Sequence, residues 1–571
     1  MRHQARAARG ERDCKIESRA GLPEHADGQK RAADRPDDRV DRIPGRIDPG
    51  DFIREKLEDI ERAGYSNDPR VGEERERFVG RPENDPMLLN RQPGDENREV
   101  KIDPGEAGEA ERDPEELQLI HVGIMRSRGA KSRAFDLRRG RSADNSCDML
   151  DIRLIREQPD FVKSRLATRG GGDEAKVDEV LAVDAERRSL ETALQQANAD
   201  RKRLSKEIGG ARSRGEDASE AEERVRKIGD EISGLVTETD AAEARQRDLL
   251  LNIPNLPHPD APIGTSAVDN PVVRTWGEKP TFEGPVLDHV ALGAKLRLFD
   301  AERATKLSGS GFICFTGPGA RLERALIQFM LDLHTREHGY LEMSPPFLVR
   351  RDCMIGTTQL PKFEEDMYGF EEGAMFLAPT AEVPVTNFHR EEILPLVELP
   401  KKFVAYTPCF RREAGSAGRE TRGIIRVHQF DKVELVKITT PETSAAEHEA
   451  LTADAERVLQ SLGLHYRAIE LCTGDVGFGS AKTYDLEVWS PGQNAYLEVS
   501  SCSNFGDFQA RRMNLRFKDA EGKNRFPHTL NGSGTALPRL FAALVETCQQ
   551  PDGSVRIPEK LQPYFGAAEI R

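Results

Sequence analysis

The chain has 571 residues, 32% of them charged, and a formal net charge of −15. That length allows two or three domains with at least one large core. A uniformly acidic surface repels nucleic acid, so any such contact has to rest on local basic patches. The eight cysteines, Cys14, Cys147, Cys314, Cys353, Cys409, Cys472, Cys502 and Cys548, form no C-x-x-C pair and no cluster with zinc-ligand spacing. They read as reduced thiols of a cytoplasmic protein. No apolar run approaches the ~20 residues of a membrane span, and the start lacks a hydrophobic signal core.

Residues 1–148 are dense in Arg, Asp, Glu, Pro and Gly, with few aromatic residues and no sustained apolar period. Such a composition buries too little surface to offset chain entropy, so a disordered extension is expected, with short helical pieces such as Asp51–Ala63. A basic RNA-binding tail is a weaker reading, because acidic residues are interspersed throughout. A natural start at Met149 is the plainer one.

From about Val177 to Leu251 apolar or small residues recur at spacings of three and four. One seam runs Leu190, Leu194, Ala197, Leu204, Ile208; a second runs Ala221, Val225, Ile228, Ile232, Leu235, Thr239, Ala242, Leu249. The pattern predicts two antiparallel helices of roughly 45–50 Å forming a coiled-coil arm. Matching the seams opposes Leu190 to Thr239 and Leu204 to Val225, with the reversal at Arg214–Gly215. Lys202, Arg203, Lys206, Arg212, Arg214, Arg224, Arg226 and Lys227 gather towards that end. Alone they read as a solvated face; with a nucleic-acid partner they supply the phosphate attraction that the whole chain lacks. The proline-rich Asn252–Gly264 must leave the helix and acts as linker.

The rest alternates strand and helix patterns. Arg321–His338 is an amphipathic helix presenting Leu322, Ala325, Leu326, Phe329 and Leu333 on one face, ahead of Pro345-Pro346 and a strand at Phe347–Val349. Phe376–Thr386 reads as a strand entering a helix cap, where Thr380 and Glu382 offer a hydroxyl and a carboxylate. Tyr406–Val436 reads as two strands joined by a long Gly- and Arg-rich loop. Arg411 and Glu413 are expected on one face of the first strand, and Arg426, Phe430 and Glu434 on one face of the second. Guanidinium groups hold phosphate and an aromatic ring stacks on a base, so this surface suits a phosphorylated nucleotide with an amine-bearing partner. A charged edge hairpin is the bland alternative. The G-F-G within Leu471–Trp489 lacks the spacing of a dinucleotide fingerprint. Tyr496–Asn504 is a further strand carrying Glu498 and Ser501, and His528–Arg539 is expected to turn through its glycines into a helix with Arg539 in the first turn.

The string FRREAGSAGRETRGIIRVHQFDKVE resembles the second signature motif of class II aminoacyl-tRNA synthetases, in the wording of the bacterial seryl-tRNA synthetases. The stretch around Pro346 resembles motif 1, HTLNGSGTALPR resembles motif 3, and TAEVPVTN resembles the loop that binds the serine ammonium. The likeness covers Met149 to the C-terminus, and nothing upstream shares it. It implies an α+β fold: a class II antiparallel sheet flanked by helices (259–571), preceded by a tRNA-binding coiled-coil arm (149–258). It implies a ligase that activates serine with ATP and transfers it to tRNA(Ser), and by the same likeness tRNA(Sec).

The resemblance also assigns residues. Arg411, Arg412, Glu413, Arg426, Val427, Phe430, Glu498, Val499, Ser500, Ser501 and Arg539 would bind ATP, with Arg411 and Arg539 catalytic. Glu498 and Ser501 would hold Mg²⁺, for which hard oxygen donors are suited. Thr380, Ala381, Glu382, Glu434, Asn531 and Ser533 would bind serine. Arg203, Lys206, Arg212 and Arg214 on the arm, with Arg419 and Arg422 on the motif 2 loop, would bind tRNA. Motif 1 would build a homodimer interface. Two other functions share parts of this pattern. A synthetase for threonine or proline shares the class II motifs, but TAEVPVTN and the long arm oppose it. A non-catalytic tRNA-binding or regulatory protein would have lost Arg411, Arg426 or Arg539, all present here.

Overall fold

The computed structural model describes residues 149–414 and 422–571; the expectations for 1–148 and for Arg419 lie outside them. Two short helices, α1 (Ile152–Glu157) and α2 (Pro159–Ala167), precede the arm helices α3 (Lys176–Ser213) and α4 (Ser219–Leu251). The predicted seam is the observed one: Ala197, Leu204, Ile232, Thr239 and Ala242 are buried along it. Near the base the seam turns polar. Buried Asp184 accepts from Gln246 (3.0 Å), Arg187 (3.2 Å) and Arg188 (3.0 Å), which satisfies a carboxylate that would otherwise be costly to bury.

The expected register set Arg245 opposite Asp184; Gln246, one residue on, is the side chain that bonds it. The reversal expected at Arg214–Gly215 lies between the helix ends at Ser213 and Ser219, with Gly215 in the left-handed region (φ 75°).

Met149, Ile152, Ile155, Val162 and Leu166 pack with Val177, Val180, Leu250, Leu251 and Ile253 at the base of the arm, together with Phe478 and Phe508 of the following domain. Arg169 locks this junction. Its half-buried guanidinium donates to the carbonyls of Asn255 (2.8 Å), Val476 (2.9 Å), Gly477 (3.2 Å) and Ser480 (2.8 Å).

The larger domain is built on eight strands: β1 (Val272–Trp276), β2 (Leu341–Met343), β3 (Lys401–Phe410), β4 (Gln429–Thr439), β5 (Tyr466–Glu470), β6 (Lys482–Ser490), β7 (Ala495–Asn504) and β8 (His528–Ala536). They lie in the order β1-β5-β6-β7-β8-β4-β3-β2. Every pairing is antiparallel except that of β2 with β3. Strand alternation sorts the faces. Val433 and Leu435 of β4, Leu530 of β8 and Leu486 of β6 pack under helices α5 (Gly317–Arg336), α7 (Ser444–Ser461) and α8 (Leu537–Thr547). Phe430, Lys432 and Glu434, the alternate residues of β4, line an open cleft instead. A short helix α6 (Glu382–Thr386) follows the strand Met375–Leu377 and closes one end of that cleft.

Three sequence expectations change. The motif 1 helix begins at Gly317, with Pro318 in its first turn; β2 follows it, and the strand expected at Phe347–Val349 is Leu348–Arg350. His528–Ala536 is not a turn but the central strand β8. Its glycines answer to close approach: a Cβ on Gly532 would stand 2.4 Å from Leu451 Cδ2 and 3.0 Å from Cys502 Sγ. Finally, β3 ends at Phe410 and β4 begins at Gln429, so Arg411, Glu413 and Arg426 lie beyond the strands. They reach the cleft from the loop ends, Glu413 with φ 50°.

Candidate active site

The cleft on the free face of β4, β7 and β8 has a volume of about 770 Å³, the size range of a nucleotide-plus-amino-acid pocket. It divides into an arginine-rich half and a dry carboxylate half.

In the first half the Arg411 backbone N–H donates to His428 O (2.8 Å) and its Nε to Pro379 O (3.3 Å). These bonds hold the guanidinium 5.1 Å from the Phe430 ring centroid, a cation–π contact. Glu413 and Arg426 form an ion pair beside it. Arg539, in the first turn of α8, donates from Nε to Ile425 O (3.2 Å) and from Nη1 to Glu498 O (2.9 Å), with its guanidinium 3.7 Å from the Glu498 carboxylate. Three cationic side chains from three segments thus converge on one wall, the arrangement a triphosphate requires.

Glu498 and Ser501 are three apart on β7 and would face opposite ways on a regular strand. Leu486 pairs with Ser500 and Glu487 with Glu498, leaving Val499 as an unpaired bulge residue. The extra residue turns both Glu498 and Ser501 into the cleft. Behind them, Asp485 of β6 pairs across from Ser501, is buried, and has one carboxylate oxygen with no hydrogen-bond partner among the described residues. Burial, and then the charge of Glu498, push its carboxyl well above the usual range. An uncompensated acidic corner of this kind suits a divalent cation.

In the second half Thr380 Oγ1 donates to Glu434 (2.7 Å) and accepts from Lys432 Nζ (2.8 Å) and the Glu382 backbone N–H (3.2 Å). Lys432 and Glu434 are a direct ion pair. Glu434 lies opposite Ser533 across the β4–β8 ladder and is 2% exposed. Glu382 accepts from Gln509 (2.7 Å); burial first, then the neighbouring Glu434, push its carboxyl up to about 7. Asn531 and Ser533 complete the wall.

Most residues singled out in the sequence meet here, including Val427 and Val499. Three do not face the cleft. Arg412 contributes a backbone N–H to Asp366 O (2.8 Å), Ala381 is buried in an apolar cluster, and Ser500 donates to the Ser533 carbonyl (2.6 Å). Lys432 was missed. Its signal was present in the alternation Phe430, Lys432, Glu434, which places a lysine on the functional face of a central strand. At the arm tip, Arg203, Arg212 and Arg214 pair with Asp200, Glu222 and Glu216, while Lys206 is exposed; Arg422 pairs with Asp288 at 2.7 Å. The expected basic tip is therefore partly neutralised by its own neighbours.

Comparison with known proteins agrees with this geometry. Residues 149–257 match the seryl-tRNA synthetase N-terminal domain, and residues 367–548 match the class II tRNA synthetase core domain (G, H, P, S and T). The serine–tRNA ligase of Akkermansia muciniphila is 61% identical over 423 residues, covering 74% of this chain and 99% of that protein. That of Thermotoga neapolitana is 53% identical over 422 residues, covering 73% and 99%. Among solved structures, the Pyrococcus horikoshii seryl-tRNA synthetase complexed with ATP superposes with a TM-score of 0.70 at 39% identity, covering 74% of this chain and 99% of that one. The Naegleria fowleri cytoplasmic serine–tRNA ligase in complex with AMP gives 0.66 at 29% identity, covering 74% and 98%. With nearly the full length of these relatives matched and the cleft built from the same motifs, the chain belongs to the seryl-tRNA synthetase family.

Proposed function

We infer that the chain is a serine–tRNA ligase, which joins serine to ATP as seryl-adenylate with release of pyrophosphate and then transfers serine to the terminal ribose of tRNA. The observation that carries this is one cleft pairing a three-arginine wall with a dry Thr380–Lys432–Glu434 corner. Arg411, Arg426 and Arg539 are all present on that wall, which sets the reading apart from a non-catalytic relative.

No covalent nucleophile is needed; positioning and charge stabilisation suffice. Phe430 offers its ring to adenine and Glu413 its carboxylate to the adenine amine. Arg411 meets the α-phosphate and the charge that develops as the serine carboxylate attacks it. Arg426 and Arg539 bind the outer phosphates, which leave as pyrophosphate. Glu434 and Ser533 accept the serine hydroxyl, and Thr380 and Glu382 receive its ammonium. Glu498 and Ser501 would hold Mg²⁺, whose role is to neutralise triphosphate charge. The bulge that aims both oxygens inward and the uncompensated Asp485 behind them fit that ion. Among the described residues no group of three or more His, Cys, Asp or Glu is placed to hold a metal alone, and Mg²⁺ commonly takes one or two protein ligands beside phosphates.

The arm and Arg422 would contact tRNA(Ser); the family likeness extends this to tRNA(Sec). A homodimer is supported by α5 and the open edge strand β2, where Leu341 is 63% exposed beside exposed Phe347 and Leu348. Among the described residues no helix is long and apolar enough to cross a membrane.

ATP–pyrophosphate exchange measured with each amino acid in turn tests the assignment. Serine should support exchange above all others; exchange driven best by threonine, proline or none would refute it.

A further inference from the structure

The amino-acid half of the cleft holds two carboxylates, Glu382 and Glu434, and one buried ammonium, Lys432. The lysine makes no bond to Glu382. Its Nζ contacts the Glu434 carboxylate directly and donates to Thr380 Oγ1 at 2.8 Å, and Thr380 in turn donates to Glu434 at 2.7 Å. Glu434 is thus held by a cation on its own strand and a hydroxyl from the loop before α6, while the side chain of Glu382 bonds, among the described residues, to the neutral Gln509 amide and feels the Lys432 and Arg411 charges only at longer range. The charged or titratable groups around the pair are Glu382 from α6, Cys409 from β3, Arg411 from the segment after it and Cys502 from β7; β8 contributes the neutral Asn531 and Ser533. Two like carboxylates in a dry site divide their roles by environment.

We propose that Lys432 is the specificity-determining positioning residue of the amino-acid subsite: its ammonium holds the Glu434 carboxylate in place, so that Glu434 accepts the substrate hydroxyl and rejects amino acids lacking one. Without the lysine, Glu434 is a buried carboxylate beside a second carboxylate with its bonded cation gone, and it is no longer held as a fixed acceptor. Burial and the Glu434 charge already push Glu382 up to about 7, which shows how strongly this site penalises unpaired negative charge.

The proposal rests on the assignment of this corner to serine, so the experiment separates the two. Full-length Lys432→Met, Glu434→Gln and the double variant are compared in pyrophosphate exchange with serine and with alanine. Lys432→Met should raise the serine KM about 10²-fold, as expected for breaking a buried charge pair, and lower the serine-over-alanine ratio of kcat/KM at least ~10-fold. The ATP KM should move by less than ~3-fold, because the arginine half is untouched. A merely structural lysine would raise both KM values together, and that result overturns the proposal. A silent Lys432→Met with a strong Glu434→Gln defect also overturns it and leaves the serine subsite standing; a silent Glu434→Gln sinks both. Should Lys432→Met fail to fold, the double variant restores a neutral pair of similar shape, and retained preference for serine in that protein would refute the assignment.

Discussion

Replacing Leu204–Val225 by a short glycine turn shortens α3 and α4 together and removes the tip of the arm. Leu204 is the buried seam residue at the cut, and its ~1.5–3 kcal/mol of burial leaves with the segment it stabilises. Ala197, Ile232, Thr239 and Ala242 keep the remaining seam, and the Asp184–Gln246 bond keeps its register. The cut lies roughly 35 Å along α3 from Val180 at the base, several times the ~8 Å Debye length of physiological salt. The charge removed therefore does not reach the cleft. Lys206 and Arg224 have no carboxylate within ion-pair distance among the described residues, whereas Arg212 and Arg214 are paired to Glu222 and Glu216. Those pairs are exposed and hold by ~0–1 kcal/mol, so exchanging carboxylate for phosphate costs little. Two to four phosphate contacts are at stake, about 0.7–0.9 in the salt slope for each. The shortened enzyme should retain serine-dependent pyrophosphate exchange. Its tRNA binding, followed against KCl concentration, should weaken, with the slope of log Kd on log[salt] reduced by about 1.4 to about 3.6. Equal loss of exchange and charging would mean that the arm supports the catalytic fold, and an unchanged slope would mean that its tip does not touch RNA.

Phe430→Ala removes both the base platform and the plate under Arg411; stacking of ~1–3 kcal/mol sets the expected rise in ATP KM at roughly 5- to 150-fold, and a rise confined to the serine KM would contradict the adenine assignment. Glu323 on α5 is pushed up to about 8 by burial and by Asp431 on β4, against an ordinary 4.5. The folded state therefore holds the extra proton between those values, and its stability falls as pH rises through that window. Glu382, raised to about 7, acts in the same direction. Thermal melts should show Tm declining from about pH 6 to about pH 9 in the parent and a shallower decline in Glu323→Gln; parallel curves would remove Glu323 from the account. Gly532→Ala forces a methyl against Leu451 Cδ2 and Cys502 Sγ, and overpacking of ~1–3 kcal/mol should lower Tm measurably; an unchanged Tm would show that α7 yields there.

The arm, the motif 1 helix and the strands β4 and β7 were legible because each carries a clean period of apolar residues. What escaped the sequence lay in departures from period. The strand β8 was read as a turn because Gly532 and Gly534 normally signal one, whereas here a helix and a neighbouring strand leave no room for a side chain. Glu498 and Ser501 share a face only because Val499 bulges, a pairing event with no local sequence mark. Arg411, Glu413 and Arg426 reach the cleft from loop ends rather than by strand alternation. Lys432 was passed over for a different reason: a charged residue inside a strand reads as solvated until its burial is seen.

Arg169 ties the arm to the body through four carbonyl oxygens and no carboxylate. Such bonds draw on fixed dipoles rather than on free ions, so added electrolyte does not slacken the mount. Gly477 and Ser480, which Arg169 holds by their carbonyls, also line the cleft. The mount of the arm and one rim of the reaction chamber are therefore the same short piece of chain.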